Sequence, residues 1–298
     1  MEVQVLSWAP IWRNDMSYRI GIVGRGFVGG AMYENFKDCF EVATWDLDEN
    51  KRTMNSFESF VDWSDIVFVC VPTPMTDDGS CDTSIVESVI QKIAQLDRRK
   101  YVVIKSTVAP GTTERLAADY NMVLGFNPEF LTEAKAYDDF RNQPLIILGA
   151  DDQGLATVMA QIYYEFNSKV DNHAHVIQRT TKEAELFKYL ANCFLATKVI
   201  FANEFKKLCD NVSVDYGRIA EVAVLDKRLG HTHWRVPGPD GKLGYGGSCF
   251  PKDTAALIHF ADTYGSTLWL LTEASYINDE IRGDGRFEKL EIVDGNLE

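Results

Sequence analysis

The residues best able to do chemistry sit in a few short stretches. In GYGGSCFPKD, residues 244–253, a cysteine stands between a run of glycines and Phe-Pro-Lys-Asp. Proline suits the first positions of a helix because its missing N–H is not needed there. The stretch therefore predicts a tight loop feeding a helix, with Cys249 at or near the N-cap, Pro251 early in the first turn and Asp253 one turn further on. A thiol so placed feels the positive end of the helix dipole and has Lys252 beside it in sequence, and both favour the nucleophilic thiolate. Residue type alone leaves a second reading open, a structural cysteine buried behind a flexible loop.

Two further pairs share helical spacing. In AELFKYLANCFLA, Lys188 is flanked by Leu186, Phe187, Tyr189 and Leu190, and Asn192 follows one turn later on the same face. Such a lysine either lays its stem on apolar surface and keeps its ammonium in water, or shares a cavity with Asn192 where both meet a substrate oxygen. Glu129 and Glu133 in NPEFLTE are either solvated carboxylates or, at the end of a parallel strand, the lining of a crevice.

Gly24-Arg25-Gly26-Phe27-Val28-Gly29 reads GxGxxG. It follows an apolar strand, opens a helix, and is followed about 20 residues later by Asp46 at the end of a second strand, the context a dinucleotide fingerprint requires. The glycines let backbone approach a pyrophosphate at the helix N-terminus. Asp46 can accept from both ribose hydroxyls and would repel a 2′-phosphate, so NAD is favoured over NADP.

These positions need elements to hold them. YRIGIV, FEVATWD, DIVFVCV, KYVVIK, NMVLGF and PLIILGA are short, continuous apolar runs, separated mostly by helical stretches such as SIVESVIQKIAQL. That alternation predicts βαβ units and a parallel, Rossmann-type sheet. After NHAHVIQRT the character changes. A long helix is expected from Thr180 to about Cys209, opened by Thr180 and Glu183 as a capping box. Helical stretches near 214–229, after Cys249 and near 267–282 follow, with a loop over 230–248. The expected organisation is an extension over 1–16, an α/β cofactor domain over 17–179, a mainly helical domain over 180–285 and a polar tail over 286–298.

The 298 residues are 46% hydrophobic and 25% charged, ordinary for a soluble globular chain with room for two domains. A net charge of −14 argues against nucleic acid or an anionic membrane as partner. No apolar run approaches the roughly 18–20 residues of a membrane span, and the first 15 residues lack the pattern of a signal peptide. The six cysteines show neither paired nor metal-ligand spacing, so no metal is expected, and reduced thiols in a cytoplasm fit best.

Taken in order from about Arg19 to Arg282, GIVGRGFVG, VCVPTP, KSTVAPGTT, NPEFLTE, AELFKYLANCFLA and GYGGSCFPKD resemble the UDP-glucose/GDP-mannose dehydrogenase family. The last motif is more similar to the UDP-glucose members than to the GDP-mannose ones. The resemblance implies an NAD-dependent, four-electron oxidation of a sugar C6 alcohol to a carboxylate, UDP-glucose to UDP-glucuronate, with Cys249 as the nucleophile. It implies that Lys188 and Asn192 stabilise oxyanions and position water. Asp253 would work with that water, Glu129 would handle protons, and Thr107 would lie near the reacting carbon. Cofactor contacts carry over to Asp46, Lys51, Pro72, Thr73, Ser106 and Glu133, beside Gly24, Gly26, Phe27, Val28, Gly29 and Lys252. Substrate contacts carry over to Phe130, Leu131, Tyr245 and Gly246. Arg228 resembles an arginine that reaches the neighbouring subunit's site, implying a homodimer through the long helix. Family members continue into a second Rossmann-like domain that binds much of the UDP, which the resemblance leads one to expect is lacking here. His231, His233, Arg235 and Lys242 are either extra phosphate contacts or ordinary loop surface. Alternatives are the same chemistry on another UDP-sugar, or a non-catalytic NAD-binding partner subunit.

Overall fold

Strand-forming runs and helix caps account for the elements of the computed structural model, which describes residues 18–96 and 99–283. The extension expected over 1–16 and the tail expected over 286–298 lie outside the described residues. By contact the described chain divides into two units. One holds residues 18–74 and 81–188, the other residues 75–80 and 189–283, so the division falls inside a helix, between Lys188 and Tyr189.

The first unit is built on seven strands: β1 (Arg19–Val23), β2 (Glu41–Trp45), β3 (Ile66–Val69), β4 (Tyr101–Ile104), β5 (Leu124–Phe126), β6 (Leu145–Ala150) and β7 (His175–Arg179). Their order in the sheet is β2-β1-β3-β4-β5-β6-β7. Helices α1 (Phe27–Phe36), α2 (Phe57–Trp63), α3 (Ser84–Gln95), α4 (Thr112–Tyr120), α5 (Ala136–Arg141) and α6 (Gln153–Val170) separate the strands. Alternation along the strands supplies two cores. Ile66 and Phe68 face one with Ile20, Ile22 and Phe36, while Val67 and Val69 face the other with Phe60, Val102 and Ile104. With both faces covered, every residue of β3 is buried, which is why it reads as an unbroken apolar run. Removing one of its fully buried side chains, as in Phe68→Ala, costs on the order of 3–5 kcal/mol.

Two features depart from the expected parallel sheet. β7 did not stand out in the sequence, because in HVIQR one residue, Val176, is buried and the strand closes the sheet's edge. β6 runs antiparallel to β5, and β7 runs parallel to β6, so this end of the sheet is reversed relative to β1–β5. Hydrophobic period fixes which face a residue takes but carries no sign for strand direction.

Helix α7 (Thr181–Asn211) begins in the first unit. Its capping box forms as expected: the Thr180 N–H donates to Glu183 Oε2 at 2.9 Å and the Glu183 N–H to Thr180 Oγ1 at 3.2 Å. The second unit holds the rest of α7, then α8 (Tyr216–Ala223), α9 (Phe250–Thr263) and α10 (Trp269–Arg282). α8 is shorter than the stretch expected over 214–229, and Asp215 caps it on the Gly217 N–H at 2.8 Å.

Candidate active site

The turn between β1 and α1 has the geometry its glycines predict. Gly24 holds φ +88°, where a side chain is strained, and a Cβ there would meet the Cys70 carbonyl oxygen at 2.6 Å. A Cβ on Gly29 would strike the Gly24 carbonyl oxygen at 1.9 Å, whereas one on Gly26 would meet nothing within 4 Å. Gly26 caps α1 without a side-chain hydrogen bond, Phe27 and Val28 open the helix, and no acidic residue stands in its first turn. That open helix start fits an anionic pyrophosphate. Asp46, just past β2, accepts from the Arg25 N–H at 2.6 Å and the Asp48 N–H at 3.0 Å. Burial pushes its carboxyl up, but those N–H groups and Lys51 outweigh it and hold it below the ordinary range. An ionised acceptor thus stands beside the glycine turn, as a ribose contact requires.

The end of β3 lies next to this turn in the sheet, with the end of β4 one strand beyond. Ser106 donates to the Val71 carbonyl at 2.6 Å, joining the two strand ends just before Pro72 and Thr73. Thr73 and Ser106 are buried and Pro72 is exposed. The Thr107 carbonyl accepts from the Cys81 thiol at 3.4 Å.

Glu129 and Lys188 are brought together. Both are buried; Lys188 Nζ donates to the Glu129 backbone oxygen at 2.5 Å and to its Oε1 at 3.1 Å, and lies 5.2 Å from the centre of the Phe130 ring. Lys188 therefore does not snorkel to water. The second Glu129 oxygen accepts from the Leu131 N–H at 2.7 Å. Burial pushes the Glu129 carboxyl up, but Lys188, the Leu131 N–H and Lys105 together bring it below its usual value, so at neutral pH it is a carboxylate. Glu133 opens a short 3-10 turn, Glu133–Lys135.

In the second unit, Cys249 is the N-cap residue of α9, Pro251 is in the first turn and Asp253 is buried in that turn. Cys249 takes the expected position at the helix start, with helical backbone angles (φ −90°, ψ −58°) and no capping hydrogen bond from its side chain. Asp253 accepts from Asn192 Nδ2 at 2.6 Å and from Lys252 Nζ at 2.7 Å, so Asn192, Asp253 and Lys252 form one cluster. The Lys252 ammonium is drawn to Asp253, and the Cys249 sulfur lies 3.8 Å from the Ser248 hydroxyl. The loop before Cys249 is held by two asparagines. Asn203 Oδ1 accepts the Gly244 N–H at 3.0 Å and Asn278 Oδ1 the Tyr245 N–H at 2.7 Å. Tyr245 is buried with its hydroxyl 3.0 Å from Ser275, and a Cβ on Gly246 would meet the Arg282 guanidinium at 2.4 Å. Arg228 is exposed and paired with Asp226 at 2.6 Å. His233 packs its ring 5.5 Å from that of Phe250, and burial with Lys198 nearby lowers its pKa; it is not the ordinary loop surface its sequence allowed.

Sequence reasoning passed over two buried charged groups in the first unit. Lys105, the first residue of KST, donates through Nζ to the Asn127 side-chain oxygen at 2.7 Å and its backbone oxygen at 3.3 Å. Glu185 accepts from the N–H groups of Gly111 and Thr113 at the start of α4. Each stands beside apolar residues in the sequence, a context that surface lysines and glutamates share, so it carried no local signal of pairing.

The comparisons fit this geometry. The UDP-glucose/GDP-mannose dehydrogenase family's NAD binding domain matches residues 42–167 and its central domain residues 182–280. A UDP-glucose 6-dehydrogenase of Pseudomonas aeruginosa is 40% identical over 68% of this chain and 46% of its own length. The Haloferax volcanii UDP-glucose 6-dehydrogenase AglM is 31% identical over 87% of this chain and 69% of its own. The solved UDP-glucose dehydrogenase of Pyrobaculum islandicum superposes with a TM-score of 0.79 at 30% identity, covering 91% of this chain and 70% of that one. The chain spans about half the length of the Pseudomonas aeruginosa and Bacillus subtilis relatives. No helix among the described residues is long and apolar enough to cross a membrane.

Proposed function

The chain belongs to the UDP-glucose/GDP-mannose dehydrogenase family, and from that premise we propose that it oxidises the C6 alcohol of UDP-glucose to the carboxylate of UDP-glucuronate. The observation that carries the reading is a cysteine at a helix N-cap, four residues before a buried carboxylate held by Asn192 and Lys252. NAD⁺, held by the Gly24–Gly29 turn, Asp46, Lys51, Thr73 and Ser106, supplies the hydride acceptor for each of two oxidations.

The chain's own groups do the rest. A C6 aldehyde has no hydride to give until a nucleophile adds to its carbonyl. The Cys249 sulfur adds, forming a C–S bond and a thiohemiacetal oxyanion. Lys188 and Asn192, one turn apart on α7, stabilise the oxyanions of both halves of the reaction. Loss of hydride from the thiohemiacetal leaves a thioester on Cys249. Water adds to the thioester carbon, the C–S bond breaks, and the thiol leaves with a carboxylate as product. Asp253 orients that water. Glu129, ionised and held by Lys188, takes a proton from it. The sum is one alcohol, one water and two NAD⁺ giving one carboxylate, two NADH and three protons.

The assembly we propose is a homodimer. Leu190, Phe194, Phe201, Phe205 and Leu208 are all exposed on α7 at spacings of three, four and seven, a stripe that water does not favour. A second copy covers it, and Arg228 reaches the partner's site. Counting NADH formed per UDP-glucose consumed, with the product identified, tests the reaction. Two NADH with UDP-glucuronate supports it, and a ratio of one with an aldehyde released overturns the covalent route.

A further inference from the structure

Two buried lysines, not one, hold the loop that carries Glu129. Lys105 follows β4 and Asn127 follows β5, neighbouring strands of the sheet. The Lys105 ammonium donates to both oxygens of Asn127, two residues before Glu129. The Asn127 amide donates to the Ile147 carbonyl at 2.7 Å, and its side-chain oxygen also accepts from the Tyr163 hydroxyl. Both acceptor positions of the Asn127 side-chain oxygen are thus taken, and its backbone oxygen is held as well. Beyond Glu129, Lys188 grips the backbone and the carboxylate of the same turn.

We propose that Lys105 is a positioning residue for Glu129: through Asn127 it fixes the turn that aims the carboxylate, and its buried positive charge helps keep that carboxylate ionised. The charged and titratable groups facing Glu129 are Lys188 from α7, Lys105 from the end of β4 and Cys70 from the end of β3. Burial pushes the Cys70 thiol up to about 12, so it stays neutral and offers no competing charge. Lys105 is the variable member. Burial lowers it to about 8, despite Cys70 and Glu129, which raise it.

The catalytic consequence rests on the reaction proposed above; the positioning does not, and the test separates them. Protein labelled with ¹³C at glutamate carboxyl carbons, with the Glu129 resonance located by its loss in Glu129→Gln, reports the titration of Glu129 without turnover. In Lys105→Met that titration rises by about one unit, as loss of a nearby opposite charge requires. Lys105→Arg, which keeps a cation, leaves it near the wild-type value. In the unmodified protein the Glu129 resonance shows a second, smaller displacement near pH 8 as Lys105 loses its proton, and Lys105→Arg abolishes it. A folded Lys105→Met with an unmoved Glu129 titration overturns the proposal. If Lys105→Met fails to fold, an unmoved Glu129 titration in Lys105→Gln overturns it instead. In turnover, the acidic limb of kcat/KM moves with the titration, and kcat falls while KM holds. A shifted titration in a protein without turnover sinks the reaction and sustains the positioning; turnover with an unmoved titration sinks the positioning alone.

Discussion

Glu185→Gln probes a carboxyl that burial alone would keep neutral. Glu185 is fully buried on α7 and caps α4, a helix whose own N-cap, Gly111, has no side chain to do so. One carboxyl oxygen accepts from the Gly111 N–H at 2.5 Å, the other from the Thr113 N–H at 2.9 Å and the Thr113 hydroxyl at 2.6 Å. Burial pushes the group up against these three donors, to about 7. The folded value is raised above the unfolded one, so the linked stability is fully present below about pH 4.5 and is lost as pH climbs through 7. A displacement of that size corresponds to about 3 kcal/mol. Below pH 7 the Thr113 hydroxyl can turn to accept from the protonated carboxyl. An amide cannot satisfy the site in either orientation, because its NH₂ must face a backbone N–H, at a cost of about 1–3 kcal/mol that is independent of pH. Urea unfolding of both proteins between pH 4.5 and 8 gives the comparison. The advantage of the unmodified chain over Glu185→Gln falls by about 3 kcal/mol across that range. An advantage that stays flat, or grows with pH, refutes the reasoning and means the three donors have won over burial.

Three other outcomes follow from the site. Cys249→Ser binds NAD as the unmodified protein does but forms no second NADH, because serine lacks the sulfur nucleophile; two NADH per sugar in that variant would remove Cys249 from the mechanism. Asp46→Ala weakens NAD by about 10- to 100-fold through loss of charge-assisted hydrogen bonds, and narrows the preference over NADP. Titration calorimetry with both cofactors decides, and an unchanged ratio places the ribose elsewhere. Phe201→Asp, at a position 55% exposed, shifts light-scattering mass from two chains to one without changing the circular dichroism, and a persistent dimer would exonerate the α7 stripe.

What was legible in the sequence is what short-range rules encode. The glycine turn, the Thr180–Glu183 box and the Cys249 N-cap depend on neighbours within a few residues, and each formed as read. The sheet's reversed end did not show, since β5 to β6 direction depends on the path of the chain between them and not on the strands' own residues. Lys188 remained ambiguous because its partner, Glu129, lies 59 residues away. Lys105 was passed over for the same reason: its partner Asn127 is 22 residues distant, and nothing local distinguishes a paired buried lysine from a surface one. The domain boundary expected at 180 followed the change of pattern, whereas contacts divide the chain within the continuous helix that begins there.

The glycine turn also separates two kinds of constraint. Gly24 and Gly29 are forced by the protein's own backbone, at 2.6 Å from Cys70 and 1.9 Å from Gly24, and any descendant that still folds must keep them. Gly26 faces open space and answers to no neighbour in the chain. Selection for folding would let a methyl accumulate there, while selection for an occupant would not. A lineage that had abandoned its cofactor would therefore erode first at that one position, leaving a turn that looks intact by shape and is silent by function. If the proposed cofactor sits there, position 26 is where a substitution would cost binding without costing the fold.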